Sequence, residues 1–366
     1  MKALACVLLL IIVYWAIFLV FRGDKNCKVA LLDKQHTNIL KGYALISILF
    51  SHVGQFLGIN GIEYPAGIGV SLFLILSAYG IIYSVNKRGL QKYWRKRLLR
   101  VFLPYALVEL SWLIIRRPQI TFLDIILDLT LIEPLYQFGW YLRYTLISYL
   151  LIWCVYKFIK SEKWRLTVLF SAFAVWFLIK SLLLIDPTPF LQARQMLCFP
   201  LGILLATFPK YKEWCEKRKV YVWMGMFVVA LLVYLVLHTS LLGLETTPVI
   251  VYNTFALFTC FLGAFSVIGI TYKLQFLQNK GMELLSPIAY EFYILHGYFI
   301  TGIHKGNQFL NCIFFLITSF VASIVLHFAL KVVMKATASL WGKLKARKKK
   351  GEPVKDGGFD SDHINA

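Results

Sequence analysis

The stretch "KGYALISILFSH", residues 41–52, sets a lysine at the head of an apolar run and a histidine eleven positions later. As a helix it turns about 100° per residue, so eleven steps bring His52 back to the face of Lys41, about 16 Å further along the axis. If that helix starts at a membrane surface, Lys41 marks the surface and His52 lies near the middle of a hydrocarbon core roughly 30 Å thick. Whether the run is such a span depends on the rest of the chain.

Of 366 residues, 59% are hydrophobic and only 16% are charged. Apolar runs of about 18 or more residues recur from end to end, each long enough to cross a bilayer. No polar stretch between them is long enough to fold as a separate soluble domain. A backbone exposed to lipid must satisfy its own hydrogen bonds, so the runs predict an all-α integral membrane protein. Spans are expected near 3–21, 39–58, 66–86, 101–115, 138–156, 166–185, 194–208, 220–241, 249–271, 286–303 and 308–334, eleven in all.

The net charge of +21 would suit nucleic acid if it lay on one face, but its placement argues for a different cause. Six regions in alternate connections, among them "KRGLQKYWRKRLLR" and "KYKEWCEKRK", hold 32 of the 39 Lys and Arg residues. The intervening connections, such as "GINGIEYPAG" and "HTSLLGLETTP", hold almost none. Cytoplasmic loops carry the excess of basic residues, so the N-terminus is expected outside and the C-terminus in the cytoplasm. No nucleic-acid partner is expected.

Three parts are expected: an N-terminal anchor and loop (1–35), a membrane domain (36–335) and a basic, disordered cytoplasmic tail (336–366). The first span is long for a secretory signal and lacks a small-residue cleavage site, so it reads as a retained anchor. The stretch "ITFLDIILDLTLIEPLYQF" (120–138) is too acidic for a clean span and reads as an outside or re-entrant segment. Seven cysteines are scattered without a CxxC pair or a nearby Cys/His set, so neither a disulfide framework nor a metal site is expected.

Ionisable groups at membrane depth are costly and by default point to a functional site. A neutral histidine can also simply hydrogen-bond a neighbouring helix, and Lys41 alone can be a snorkelling topology marker. A second buried histidine shifts that balance. In "SPIAYEFYILHGYF" (286–299) the helix enters near Pro287, and His296 lies roughly 14 Å in, close to the depth of His52. Tyr290, Glu291 and Tyr293 fall between the surface and that level, a set suited to proton transfer, although Glu291 alone could be a structural ion-pair partner.

In "YWRKRLLRVFLPY" (93–105), Arg97 and Arg100 are three apart, neighbours on one α-helical face at the cytoplasmic boundary. Guanidinium groups suit phosphates, though any cytoplasmic helix end is expected to be basic. Trp140 and Arg143 open a span on the outer side, where positive charge is scarce; Trp140 also fits an interfacial aromatic belt. Ser77 lies near mid-span, where a lone serine usually packs or bonds back to its own helix.

Taken in order, these stretches resemble the acyltransferase 3 family. Its Arg/Lys, ten residues, His element corresponds to Lys41 and His52, and its phenylalanine-rich Leu-Ser-Gly helix to "LFLILSAYG", with Ala78 in place of the usual Gly. "RKRLLRVFLPY", with Arg97, Arg100 and Pro104, is similar to its Arg-x-x-Arg…Pro element. "GWYLRYTLISYLL" and "SPIAYEFYILHGYF" resemble its Trp-Tyr/Phe-Leu helix and its late Tyr-Leu-x-His helix. Lys41 stands where Arg is commoner, and the N-terminal span is additional to the usual ten.

The resemblance implies an acyl-CoA donor, usually acetyl-CoA, with no permanently bound cofactor, and a hydroxyl acceptor on a lipid-linked sugar, polysaccharide or other envelope molecule. It also implies the plasma membrane of a bacterium. Donor phosphates are then expected at Lys41, Arg97 and Arg100. The acceptor is expected from outside past Trp140 and Arg143. His52 is expected as base or acyl carrier, with His296 and Tyr293 in support. The competing expectation is a carrier or flippase for lipid-linked sugars or metabolites, with an intramembrane His/Glu proton relay.

Overall fold

Asp33 begins the helix that carries Lys41 and His52. Its Oδ1 accepts the His36 N–H at 2.7 Å, satisfying one of the orphan amides of a first helical turn. The computed structural model describes residues 29–56, 63–116, 120–136, 138–182, 189–237, 247–301 and 307–349. Helix α1 spans Lys34–Phe56 and α2 spans Glu63–Arg88. Then α3 (Tyr93–Arg97) runs through a π-helical turn (Leu98–Phe102) into α4 (Leu103–Arg116), followed by α5 (Phe122–Leu129), α6 (Gly139–Phe158) and α7 (Glu162–Leu182). Short α8 (Pro189–Ala193) precedes α9 (Cys198–Thr207), α10 (Pro209–Lys217), α11 (Val220–Leu237) and α12 (Val249–Lys273). The chain continues with α13 (Lys280–Leu285), α14 (Ala289–Thr301) and α15 (Gln308–Lys349). Among the described residues there is no strand.

Among the described residues six stretches are long and apolar enough to cross a membrane: Tyr64–Arg88, Tyr93–Ile115, Glu162–Leu182, Val220–Leu237, Val249–Lys273 and Gln308–Thr337. A seventh is added if Leu191–Thr207 and Pro209–Lys217, bent by 97°, count as one span. The expected span at 3–21, Cys6, Cys27 and the tail beyond residue 349 lie outside the described residues. The chain is an all-helical, multi-pass membrane protein.

Helix α2 is the axis of the bundle, packed against α1, α9 and α12. Backbones meet there: a Cβ on Gly69 would lie 2.6 Å from the Ala44 carbonyl, and one on Gly202 would lie 2.3 Å from that of Ile75. Small residues at such crossings let membrane helices approach closely enough for dense van der Waals packing. The outer helices present apolar side chains outward, among them Leu232, Val325 and Phe328, as a surface facing hydrocarbon must.

The π-helical turn follows from Pro104. Proline has no N–H for the Arg100 carbonyl four residues back, and its ring would collide with that carbonyl in an α-helix. The chain widens instead, and the Leu103 N–H bonds the Leu98 carbonyl, five residues back. Arg97 and Arg100 are therefore not in the α-helical phase that their three-residue spacing implies.

The stretch 120–138 holds the short helix α5, started by a capping box. Thr121 Oγ1 accepts the Asp124 N–H, and Asp124 Oδ2 accepts the Thr121 N–H. Phe122 and Leu123 are exposed, whereas Asp128 is fully buried and accepts the Leu135 N–H at 2.7 Å. Its acidic residues thus shape a loop. Arg143 serves the same loop: its Nε donates to the Leu131 carbonyl at 2.8 Å and its Nη2 to that of Ile132 at 3.0 Å. Leu131 itself is held at φ 60°.

Candidate functional site

Helices α1 and α14 pack together and bring the imidazoles of His52 and His296 to 4.9 Å between ring centroids. Phe138, at the mouth of α6, closes over both rings, 4.7 Å from His296 and 5.2 Å from His52. Phe292 stacks on His296 from one turn below, at 5.5 Å. The two histidines are therefore neighbours in an aromatic box, His296 completely buried and His52 nearly so.

The tautomer of His296 is set by its own helix. Its Nδ1 lies 2.6 Å from the Tyr293 carbonyl and 3.2 Å from that of Phe292. Carbonyl oxygens only accept, so Nδ1 carries the proton, and in the neutral ring the lone pair is on Nε2. That Nε2 is buried and makes no hydrogen bond. The Tyr293 carbonyl also accepts from the Tyr136 hydroxyl at 3.0 Å, which ties the loop before α6 to the histidine helix.

Toward the basic end of the bundle lies a cavity of about 610 Å³. Lys41, Ser77, Arg97, Arg100 and Tyr290 all line it, joined by Arg88 and Lys96. Five cations thus meet one cavity. Arg97 is buried, its guanidinium 4.1 Å from the Tyr93 ring centre and donating to the Tyr93 carbonyl at 3.2 Å. Stacking and a fixed hydrogen bond hold that fork in one orientation. Ser77 Oγ pairs with the Tyr149 hydroxyl at 2.6 Å, and Tyr290 donates to the Val101 carbonyl in the π-helical turn at 2.5 Å.

His52 and His296 are not part of the cavity wall. The route between them is a chain of rings: Tyr141 lines the cavity, Tyr141 and Tyr293 are 4.5 Å apart, and Tyr293 is 5.4 Å from His296. Trp140 is buried rather than belted at an interface, with its indole N–H unpaired. Glu291 is not among the residues lining the cavity and turns to α15, with Oε1 2.9 Å from His327 Nδ1. Arg143 binds the loop carbonyls described above.

Three groups of consequence carry no prior expectation. Arg88 and Lys96 fall in a stretch whose basic residues already had an explanation in topology. Tyr141 and Tyr149 belong to an aromatic helix that offers no polar pattern. Glu109 had a readable signal, a lone carboxylate within the 101–115 run. It is almost fully buried on α4 and accepts a hydrogen bond from Tyr298, two residues past His296.

Together the fold and the site define a polytopic helical membrane protein in which a polycationic cavity adjoins a buried pair of imidazoles. Residues 37–334 match the acyltransferase domain of the acyltransferase 3 family, and the chain belongs to that family. Family and fold make it a membrane acyltransferase. No curated protein and no solved structure matches the chain.

Proposed function

We propose that the protein transfers an acyl group, acetyl in the first instance, from cytoplasmic acyl-CoA to a hydroxyl of an extracytoplasmic or lipid-linked sugar or polysaccharide. The observation that carries this reading is the meeting of Lys41, Arg88, Lys96, Arg97 and Arg100 on one cavity. A donor bearing several phosphates and a long thioester arm matches such a cavity in charge and shape. Charge-assisted hydrogen bonds to phosphate are among the stronger polar contacts. The topology is N-terminus out and C-terminus in, with eleven spans, in the plasma membrane of a bacterium.

In this reading the phosphates stay with the cations while the pantetheine arm passes Ser77 and Tyr149 toward Tyr141 and Tyr293. The acceptor arrives from the opposite side. His52 takes the proton of its hydroxyl as the oxygen attacks the thioester carbonyl. The oxyanion collapses, the carbon–sulfur bond breaks, and the coenzyme thiolate leaves on the cytoplasmic side. His296, with its proton fixed on Nδ1, presents a lone pair at Nε2 and orients or shares that proton. An acyl group held transiently on His52 is the stepwise variant of the same chemistry. The carrier reading drew on Glu291 as a relay beside the histidines, and the pairing of Glu291 with His327 weakens that support.

The test uses inside-out vesicles given acetyl-labelled acetyl-CoA on the cytoplasmic face, with envelope extract as acceptor, for wild type and His52→Ala at matched expression. Label in lipid or lumenal material that depends on the protein and is lost with His52→Ala is expected. Equal transfer with and without His52 would remove it from the chemistry.

A further inference from the structure

A second, smaller hollow lies at the other end of α2. Its volume is about 170 Å³, and Arg194, Tyr64, Tyr234, Tyr252, Thr259 and Cys260 are among its walls. On α2, Gly67 borders this hollow and Phe73 is the nearest residue lining the large cavity, so six residues, about 9 Å of helix, separate the two. The large cavity sits with the basic connections, and the small hollow is at the end where basic residues are scarce.

Three features mark it as a site rather than a packing gap. First, the helix that brings Arg194 is interrupted there. α8 ends at Ala193, residues 194–197 form turns, and α9 begins at Cys198. Non-helical backbone within a membrane bundle is tolerated where protein buries it or where it lines a cavity. Second, polar groups at the hollow lack partners. The Tyr64 hydroxyl and Arg194 Nε are buried without a hydrogen bond, and Tyr64 as a whole is only 6% exposed. A buried donor left unpaired costs stability unless something fills the site.

Third, the wall is braced from behind. Gln195 Oε1 accepts from Ser71 Oγ at 2.5 Å and from Cys198 Sγ at 3.5 Å, while its Nε2 donates to the Gly67 carbonyl at 3.3 Å. Every polar atom of that amide is engaged, and its Nε2 bonds the carbonyl of Gly67, which lines the hollow, so Gln195 braces the wall while its neighbour Arg194 faces the hollow. The wall itself is an aromatic pair, Tyr64 stacked on Tyr234 at 4.6 Å.

We infer that this hollow binds the phosphate of an anionic amphiphile whose acyl or prenyl tail lies in the surrounding lipid. The volume equals that of about five or six waters, too small for a nucleotide and suited to one headgroup. A guanidinium among phenols is the donor set for a phosphate ester. Entry from lipid is open in composition: Leu235 and Val236 beside the hollow on α11, and Val251 and Phe255 on α12, are exposed apolar residues. Ser51, the residue before His52, accepts the Ala66 N–H at 2.8 Å, so the histidine box is joined to the turn of α2 that borders the hollow. The site stands without the acyl-transfer reading. If that reading holds, a lipid-linked acceptor anchored here would offer its sugar on the histidine side.

Native mass spectrometry of the purified full-length chain tests this with dioleoyl phosphatidylglycerol as probe, dioleoyl phosphatidylcholine as the zwitterionic control and glycerol 3-phosphate as free competitor. Wild type is expected to retain one phosphatidylglycerol in preference to phosphatidylcholine. Arg194→Gln should weaken retention by about tenfold or more, Arg194→Lys by less. Ala256→Phe, which fills the hollow and keeps the charge, should also abolish retention and guards against misfolding of the Arg194 variants. Displacement by glycerol 3-phosphate would show that the phosphate alone suffices; no displacement would show that the tail contributes. Equal retention in wild type, Arg194→Gln and Ala256→Phe, or no preference for phosphatidylglycerol, overturns the site. Loss of retention in Arg97→Gln/Arg100→Gln would assign the lipid to the large cavity and overturn it equally. Acyl transfer is not read in this experiment, so its failure and that of the proposed function are separate.

Discussion

The cation-lined cavity and the histidine box are built on opposite principles. In the cavity, Arg88 and Arg100 are exposed and Lys41 and Lys96 half-buried, so four of the five cations stay within reach of water. In the box, two imidazoles are enclosed by Phe138 and Phe292, and the polar bonds to His296 come from its own helix backbone. Charge tolerates an exposed site because water solvates it between turnovers. A base that must take a proton from a hydroxyl gains from a dry site, where competing water is excluded. In the proposed reaction binding and chemistry fall to different residues, and the two should separate kinetically.

The sharpest way to break that division is His52→Ala. The expected loss is about 100- to 10,000-fold in kcat, the range for removing a general base, with acyl-CoA binding unchanged. Isothermal titration with coenzyme A alongside the transfer assay checks it; a matching loss of coenzyme affinity would merge the two regions into one. His296→Gln is expected to follow in the same direction, because its Nδ1 bond and bare Nε2 are both altered.

The converse variant is Arg97→Gln with Arg100→Gln. Two charge-assisted contacts are removed from the donor, so KM for acyl-CoA should rise roughly tenfold to a hundredfold while kcat at saturation holds. Raised ionic strength should weaken wild-type donor binding and matter less in the double variant. An unchanged KM would leave these arginines as topology markers alone.

Gly80→Leu probes shape without touching charge. Gly80 lines the cavity and a Cβ there meets nothing within 4 Å, so a larger side chain projects into open space. Coenzyme affinity should fall by about tenfold. Thermal stability should hold or rise slightly, since leucine is the better helix former by up to about 1 kcal/mol. A drop in stability with unaltered affinity would show that the cavity is not the donor's path.

How far the sequence could be read differs between these regions for physical reasons. The all-helical, membrane-spanning character was visible because burial in lipid forces long apolar runs. Lys41 and His52 share a face because a regular helix preserves phase over eleven residues. The phase of Arg97 and Arg100 was not readable, since Pro104 inserts a π-helical turn between them, although both still reach the cavity. Glu291 pairs with His327 on the following helix, 36 residues on, and Arg143 bonds carbonyls of a loop held at a left-handed residue. Partners of that kind are set by tertiary packing and leave no local pattern. The small hollow is the extreme case, its walls drawn from α2, the break before α9, α11 and α12.

The smallest effect concerns the foot of α1, ahead of its apolar run, where His36 ties the segment to α12. Its Nδ1 accepts the Leu32 N–H at 3.0 Å, so the ring proton is on Nε2, 3.0 Å from Thr271 Oγ1. Burial pushes its pKa down to about 4, against a smaller upward pull from Asp33 and with a further downward push from Lys212. In the unfolded chain the ring protonates near its ordinary value of about 6.5, so between these values the unfolded state binds more protons. Stability contributed by the neutral ring is therefore full above that ordinary value and is lost as pH falls toward the folded one. From pH 7 to pH 5 the loss should be about 2 kcal/mol, a fall of a few degrees in Tm. His36→Gln keeps an acceptor for Leu32 and a donor for Thr271 without titrating, so the variant should lose this part of the pH dependence while transfer activity at pH 7 stays near wild type. Thermal melts of both proteins at the two pH values decide it, and an identical fall in each would place the sensitivity elsewhere in the fold.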